Sequence, residues 1–243
     1  MLPRGLFNLV KLQSAKAIPT TRGITTTPAN KGLENILKSI PKESAQKTQS
    51  VSTVPTYKKV EKEFLPEGKR LDYGAGRGLG AKEIKADTFE PFPRKGFNPT
   101  FKNTDDIPSS SYENISSLNV LNVLQQNDRK KAVKEIGRIL KPGGNAIIST
   151  RGMGVLTEAP KGTKGIEPMS VITSKGTYQK GFKPKELKDY VQKVLGKNFD
   201  VDLIKGQKIG AASIKIKKLE PKKMKTGGMV EKNNYNYNTQ RTI

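Results

Sequence analysis

Apolar and polar positions follow two rhythms through the middle of this chain, and together they predict an α/β order of elements. Strand-length apolar stretches fall at Lys69–Tyr73, Ala86–Phe89, Tyr112–Leu118 and Asn145–Thr150, with a brief additional strand expected at Thr100–Lys102. Between them, Gly78–Ile84 reads as a very short helix. Asp128–Leu140 reads as a longer one, with Ala132, Val133, Ile136, Ile139 and Leu140 on one face. Lys141-Pro142-Gly143-Gly144 then supplies the proline and glycine expected of a helix stop. Further on, Ser170–Thr173 is β-like, and Lys183–Leu195 is a helix opened by Pro184. Phe199–Ile204 and Ala211–Lys217 are expected to pair through a turn at Lys205–Gly210.

The flanks lack this rhythm. Gly5–Lys11 and Gly32–Ile40 are short helix-like pieces around the Thr/Pro-rich stretch Pro19–Pro28, and Pro41–Pro55 reads as a polar linker. Ordered structure is therefore expected from near Tyr57. The division is a basic arm (1–56), a domain (57–219) whose glycine- and lysine-rich segment 152–181 is a candidate lid, and a polar tail (220–243). No apolar run approaches the roughly 20 residues needed to span a bilayer.

Charge and composition narrow the chemistry. The formal net charge is +23, of which residues 71–150 carry only +3. The excess lies on the N-terminal arm and beyond residue 150, and such a field favours polyanions, nucleic acid among them. A lysine-rich solubilising surface has the same composition. Residues 1–33 hold five basic residues and no acid, which fits a presequence directing the chain to the mitochondrial matrix and equally a disordered basic arm. Cysteine and histidine are both absent. That removes disulfides, thiolate nucleophiles, the commonest general base and the usual zinc ligands.

The most informative stretch is Arg70-Leu71-Asp72-Tyr73-Gly74-Ala75-Gly76-Arg77-Gly78, a strand running into D-x-G-x-G-x-G. Glycines there let a ligand approach the main chain. A carboxylate before the first glycine would repel phosphate, so the turn points to an amino-bearing ligand. A dinucleotide site wants G-x-G-x-x-G, but position 79 is leucine, and no G-K-[ST] closes a P-loop. Asp72 also has a simpler reading, as an anchor for the turn's backbone N–H groups.

In this order the elements resemble a class I S-adenosylmethionine (SAM)-dependent methyltransferase over roughly Tyr57–Leu219, which implies a Rossmann-like sheet with helices on both faces. The resemblance implies that Asp72, Gly74, Gly76 and Gly78 form the first cofactor motif. It also implies that Glu90 accepts the ribose hydroxyls and that Asp105 or Asp106 accepts from the adenine amine. Ser116–Leu124 with Asp128-Arg129, and Tyr178-Gln179-Lys180-Gly181-Phe182, look more narrowly like small methyltransferase domains of bacteriophages and mobile elements. That likeness implies a phage assembly as partner and a host-cytoplasmic or virion location.

Absences limit the acceptor. Cytosine C5 methylation needs a nucleophile, ordinarily cysteine, and the chain has none. The loop at Asn119-Val120-Leu121-Asn122 lacks the prolines and aromatic of the D/N-P-P-Y/F loop that serves amino methylation of bases. Asn119, Asn122, Arg151 and Tyr178 remain as acceptor-side candidates, Asn119 being a cofactor-side candidate too, with helix capping, surface charge and loop packing as their simpler roles. A protein that keeps the fold without turnover, as a virion-associated or nucleic-acid-binding component, is the competing reading.

Overall fold

The structure, a computed structural model, describes residue 35 and residues 38–49, 54–158, 163–164, 167–206 and 209–221. The Gly5–Lys11 piece, most of the basic arm and the tail beyond residue 221 lie outside the described residues. Ordered elements begin upstream of Tyr57. A 3-10 helix covers Lys42–Thr48, within the expected linker, and helix α1 covers Val54–Phe64. The elements that follow are β1 (Arg70–Tyr73), α2 (Leu79–Glu83), β2 (Asp87–Phe89), β3 (Tyr112–Leu118), α3 (Gln126–Ile139) and β4 (Leu140–Thr150). After these come β5 (Thr163–Lys164), β6 (Ser170–Ile172), β7 (Tyr178–Lys180), α4 (Pro184–Leu195), β8 (Phe199–Leu203) and β9 (Ala212–Lys218).

Six strands form one sheet in the order β2-β1-β3-β4-β9-β8. The first four are parallel, and β9 enters antiparallel between β4 and β8. Alternation along each strand divides the core into two layers. Leu71, Ile115, Ala146 and Ile148 face one way, packed with Val133 and Ile136 of α3 and Leu187 and Val191 of α4. Leu118 and Ile147 face the other way, against Tyr57 and Val60 of α1 and Ile84 after α2. Helices thus cover both faces, as a mostly parallel sheet requires. Among the described residues no helix is long and apolar enough to cross a membrane.

Two expectations are corrected. The strand at Thr100–Lys102 is reduced to one bridge, Phe89 to Phe101. Thr88 and Thr100 explain why: each hydroxyl accepts from the other residue's backbone N–H, at 3.1 and 2.8 Å. Side chains there take bonds that a ladder would otherwise use. The Lys141–Gly144 segment is not a turn before the strand. Strand β4 already pairs at Leu140 with Tyr112, and Lys141–Gly144 forms the irregularity before pairing resumes at Asn145 with Asn114.

The segment expected as a lid is folded in its described part. Strands β5, β6 and β7 make a small antiparallel sheet. Arg129 of α3, with its side chain only 1% exposed, holds that sheet through Glu167.

Candidate functional site

The carboxyl ends of β1, β2, β3 and β4 open into one cavity of about 990 Å³. That is the upper end of the range of about 300–1,000 Å³ usual for small-molecule sites, and the edge of an open α/β sheet is where ligands converge. Its walls come from the glycine turn, from residues 89–92, from the loop after β3, and from the β6–β7 hairpin. Residues 40–49 complete it, which the linker reading did not anticipate. Gln46 and Gln49 donate side-chain N–H groups to the carbonyls of Pro93 and Phe92, and Arg94 donates twice to the Gln46 carbonyl.

Gly74 lines the cavity with φ +84°, and a Cβ there would stand 2.4 Å from a Val120 methyl carbon. No other residue fits that turn against the β3 loop. Gly76 also lines the cavity, and its N–H donates to Glu90 Oε2 at 2.8 Å. The other Glu90 oxygen accepts from the Phe92 N–H at 3.1 Å. Glu90 is buried at the cavity wall, and burial raises its carboxyl against the lowering effect of those two backbone bonds. Gly78 stands behind the wall, as the N-cap of α2 in the left-handed conformation.

Asp72 is a correction. Its side chain is fully buried beneath the turn and is not among the groups lining the cavity. The Tyr57 hydroxyl donates to both carboxylate oxygens at 2.9 and 3.0 Å, and Ser116 Oγ donates to one at 2.9 Å. Asp72 thus ties α1 and β3 to the glycine strand, and it is not placed to meet a ligand's amino group. Asp105 and Asp106 are corrected too. They lie exposed on a 3-10 helix, Thr104–Asp106, of which only Thr104 reaches the cavity.

Burial pushes the Asp72 carboxyl from 3.8 to about 7, opposed by its Ser116 and Tyr57 hydrogen bonds and reinforced by Glu90. Between those values the unfolded chain gives up this proton before the folded one does. Stability therefore falls as pH rises from about 4 to about 7, and this contribution is constant above. An Asp72→Asn variant has no such titration. Its melting temperature relative to wild type is expected to climb across that window and then level off. Thermal melts at half-unit pH steps check this, and a constant difference would show that Asp72 titrates normally.

The structure brings the four residues expected on the acceptor side, Asn119, Asn122, Arg151 and Tyr178, to the same cavity. Asn119 has φ +59°, and its N–H is held by the Ser149 carbonyl at 2.9 Å. Arg151 pairs with Glu158 at the wall. The Tyr178 hydroxyl donates to Glu167 at 2.8 Å, and burial raises its pKa. That hydroxyl is engaged behind the wall.

Sequence reasoning missed Tyr57, although Tyr57, Val60 and Phe64 carry the i, i+3, i+7 spacing of a helix face. It singled out the segments that hold Arg129 and Gln179 but not their roles, because the partners Glu167 and Asn122 are distant in sequence.

No family model matches this sequence, and no curated protein matches it. Solved structures do. The PH0226 protein of Pyrococcus horikoshii aligns with a TM-score of 0.50 at 14% identity, over 76% of this chain and 96% of its own. A SAM-dependent methyltransferase of Thermotoga maritima gives 0.46 at 21% identity, over 76% and 96%. The 1,6-didemethyltoxoflavin-N1-methyltransferase of Burkholderia thailandensis, solved with its substrate and S-adenosylhomocysteine, gives 0.49 at 14%, over 82% and 94%. With its mostly parallel sheet, antiparallel β9 and helices on both faces, the chain has a Rossmann-like α/β fold.

Proposed function

We propose that this protein is a SAM-dependent methyltransferase whose cofactor occupies the main cavity beside the glycine turn. The observation that carries the reading is Glu90. Its two oxygens accept from the N–H groups of Gly76 and Phe92, and the residue stands in the wall of the main cavity. A carboxylate so held suits a pair of vicinal hydroxyls such as those of a ribose. Gly76 leaves the main chain open beside it, with no atom nearer than 3.5 Å to where its Cβ would stand. SAM bound there supplies an electrophilic methyl group. The chain's own part is to orient the acceptor, exclude water and hold charge, and positioning of that kind provides much of the acceleration in a displacement.

Calorimetric titration with SAM and S-adenosylhomocysteine tests the reading. Micromolar binding of both is expected, and absence of binding to either would favour the competing reading of a fold kept without turnover.

A phosphate-bearing acceptor, nucleic acid included, is supported by a second cavity of about 710 Å³. Lys47, Arg77, Arg94 and Lys95 line it with no acidic residue, and Lys47 and Arg77 are shared with the main cavity. No described carboxylate forms an ion pair with any of the four. Cations gathered in this way attract phosphates without reading sequence. Lys95→Glu is expected to weaken binding of a single-stranded oligonucleotide by about threefold or more and to flatten its salt dependence. Filter binding from 50 to 200 mM salt checks this. Unchanged affinity would remove the cavity from any polyanion contact.

A further inference from the structure

Residues 40–49 lie as a strap along the main cavity and bridge two of its walls. Toward the segment after β2, Gln46 Nε2 donates to the Pro93 carbonyl at 3.3 Å and Gln49 Nε2 to the Phe92 carbonyl at 3.4 Å. Arg94 Nε and Nη2 donate back to the Gln46 carbonyl at 3.2 and 2.6 Å. Toward the β6–β7 hairpin, Lys47 Nζ donates to the Lys175 carbonyl at 3.1 Å. Both glutamine bonds are longer than usual and therefore weak.

The charges across this seam are alike. Lys47 on the strap, Arg77 in the glycine turn, and Arg94 and Lys95 after β2 line the second cavity, which has no acidic residue in its walls. Four cations around about 710 Å³ repel one another, and that repulsion pushes the strap away from the body. A phosphate group reverses the sign of the effect, because it attracts Lys47 and the three body cations at once. Lys47, Arg77 and Lys95 are exposed and can reach it, and the bonds of Arg94 to Gln46 leave its Nη1 out. The two cavities also share a partition. Lys47 and Arg77 line both, and Phe97 of the second packs on Gly78, where an added Cβ would stand 2.3 Å from its ring.

Resting on the reading that the main cavity holds SAM, we propose that a phosphate group bound in the second cavity, between Lys47 and the side chains of Arg77, Arg94 and Lys95, clamps residues 40–49 against the body and slows release of the cofactor.

The test uses the full chain, with inorganic phosphate and a single-stranded oligonucleotide as separate probes and ionic strength matched by sodium chloride. Hydrogen exchange in peptides covering residues 38–49, without S-adenosylhomocysteine, reads the clamp. Stopped-flow displacement of S-adenosylhomocysteine reads cofactor retention. A phosphate probe is expected to slow the exchange, and to slow release by about fivefold or more, the scale of an ordinary coupling between sites. Lys47→Glu gives up the Lys175 bond but sets a carboxylate among the three remaining cations. Its strap is expected to be protected without phosphate and to ignore added phosphate. Lys95→Ala removes a cavity cation outside the strap and is expected to shrink the phosphate effect, read as a ratio within that variant. An effect of inorganic phosphate supports the clamp with a small phosphate as occupant, and an effect of the oligonucleotide alone supports it with backbone phosphates. Protection by neither probe overturns the clamp, as does a Lys47→Glu chain that still responds to phosphate. Protection without slower release overturns the coupling to the cofactor. S-adenosylhomocysteine that fails to bind overturns the methyltransferase reading, and the exchange data then decide the clamp by themselves.

Discussion

Replacing Glu167 with alanine is expected to cost about 3–5 kcal/mol of folding stability, because it strands a buried cation. Arg129 is 1% exposed, and its Nη1 and Nη2 donate to the two Glu167 oxygens at 2.8 and 3.0 Å. Its other donors go to the carbonyls of Leu121 and Leu124, and the rings of Phe182 and Tyr190 lie 5.2 and 5.9 Å away. The guanidinium stays charged at any accessible pH, so without its partner it must be rehydrated or displaced. Tyr178 loses its acceptor in the same step. The β6–β7 hairpin, with Gln179 and its side of the cavity wall, should then loosen. Urea unfolding measures the loss, and an Arg129→Met, Glu167→Met double variant should recover part of it. A cost below about 1 kcal/mol would mean that the pair is not what holds the hairpin.

Glu90→Ala should act on ligand binding more than on folding. Two hydrogen bonds from ribose hydroxyls to a carboxylate, at about 1.5–3 kcal/mol each, correspond to a loss of at least about 100-fold in SAM affinity. Stability should fall as well, since the N–H groups of Gly76 and Phe92 lose their acceptor. Glu90→Gln separates the two effects. It keeps an oxygen for one N–H but loses charge, so the fold should be largely restored while affinity stays low. Calorimetry and thermal melts on both variants give the two readings independently. SAM affinity unchanged in Glu90→Ala would take this carboxylate out of the cofactor site.

The glycine turn was legible because its backbone constraint is local. Gly74, Gly76 and Gly78 all take a positive φ, and the strand before them alternates visibly. Strand β3 and helix α4 were equally plain, with their periodicity and Pro184. Tyr57 had a periodic signal, but its partner Asp72 stands 15 residues away, and nothing in spacing says that a buried phenol will cap that carboxylate. Asp72 itself shows the limit most clearly. Its place before the glycines is readable, but which face of β1 it occupies, and what meets it there, is settled by α1 and Ser116.

The sequence by itself determined β1 to β4 with the helices between them, β6, α4 and the final β8–β9 pair, the glycine turn, and the exclusion of cysteine and histidine chemistry. These follow from side-chain periodicity, backbone sterics and composition, which act over a few residues at a time. Only the tertiary structure decided that residues 40–49 wall the cavity, that Arg129 joins Glu167 across 38 residues, and that Asn122 Oδ1 is buried without a partner among the described residues. Those are outcomes of burial. A charge or an amide becomes committed or unsatisfied only when distant segments exclude water from it, and low local dielectric then makes each partner count.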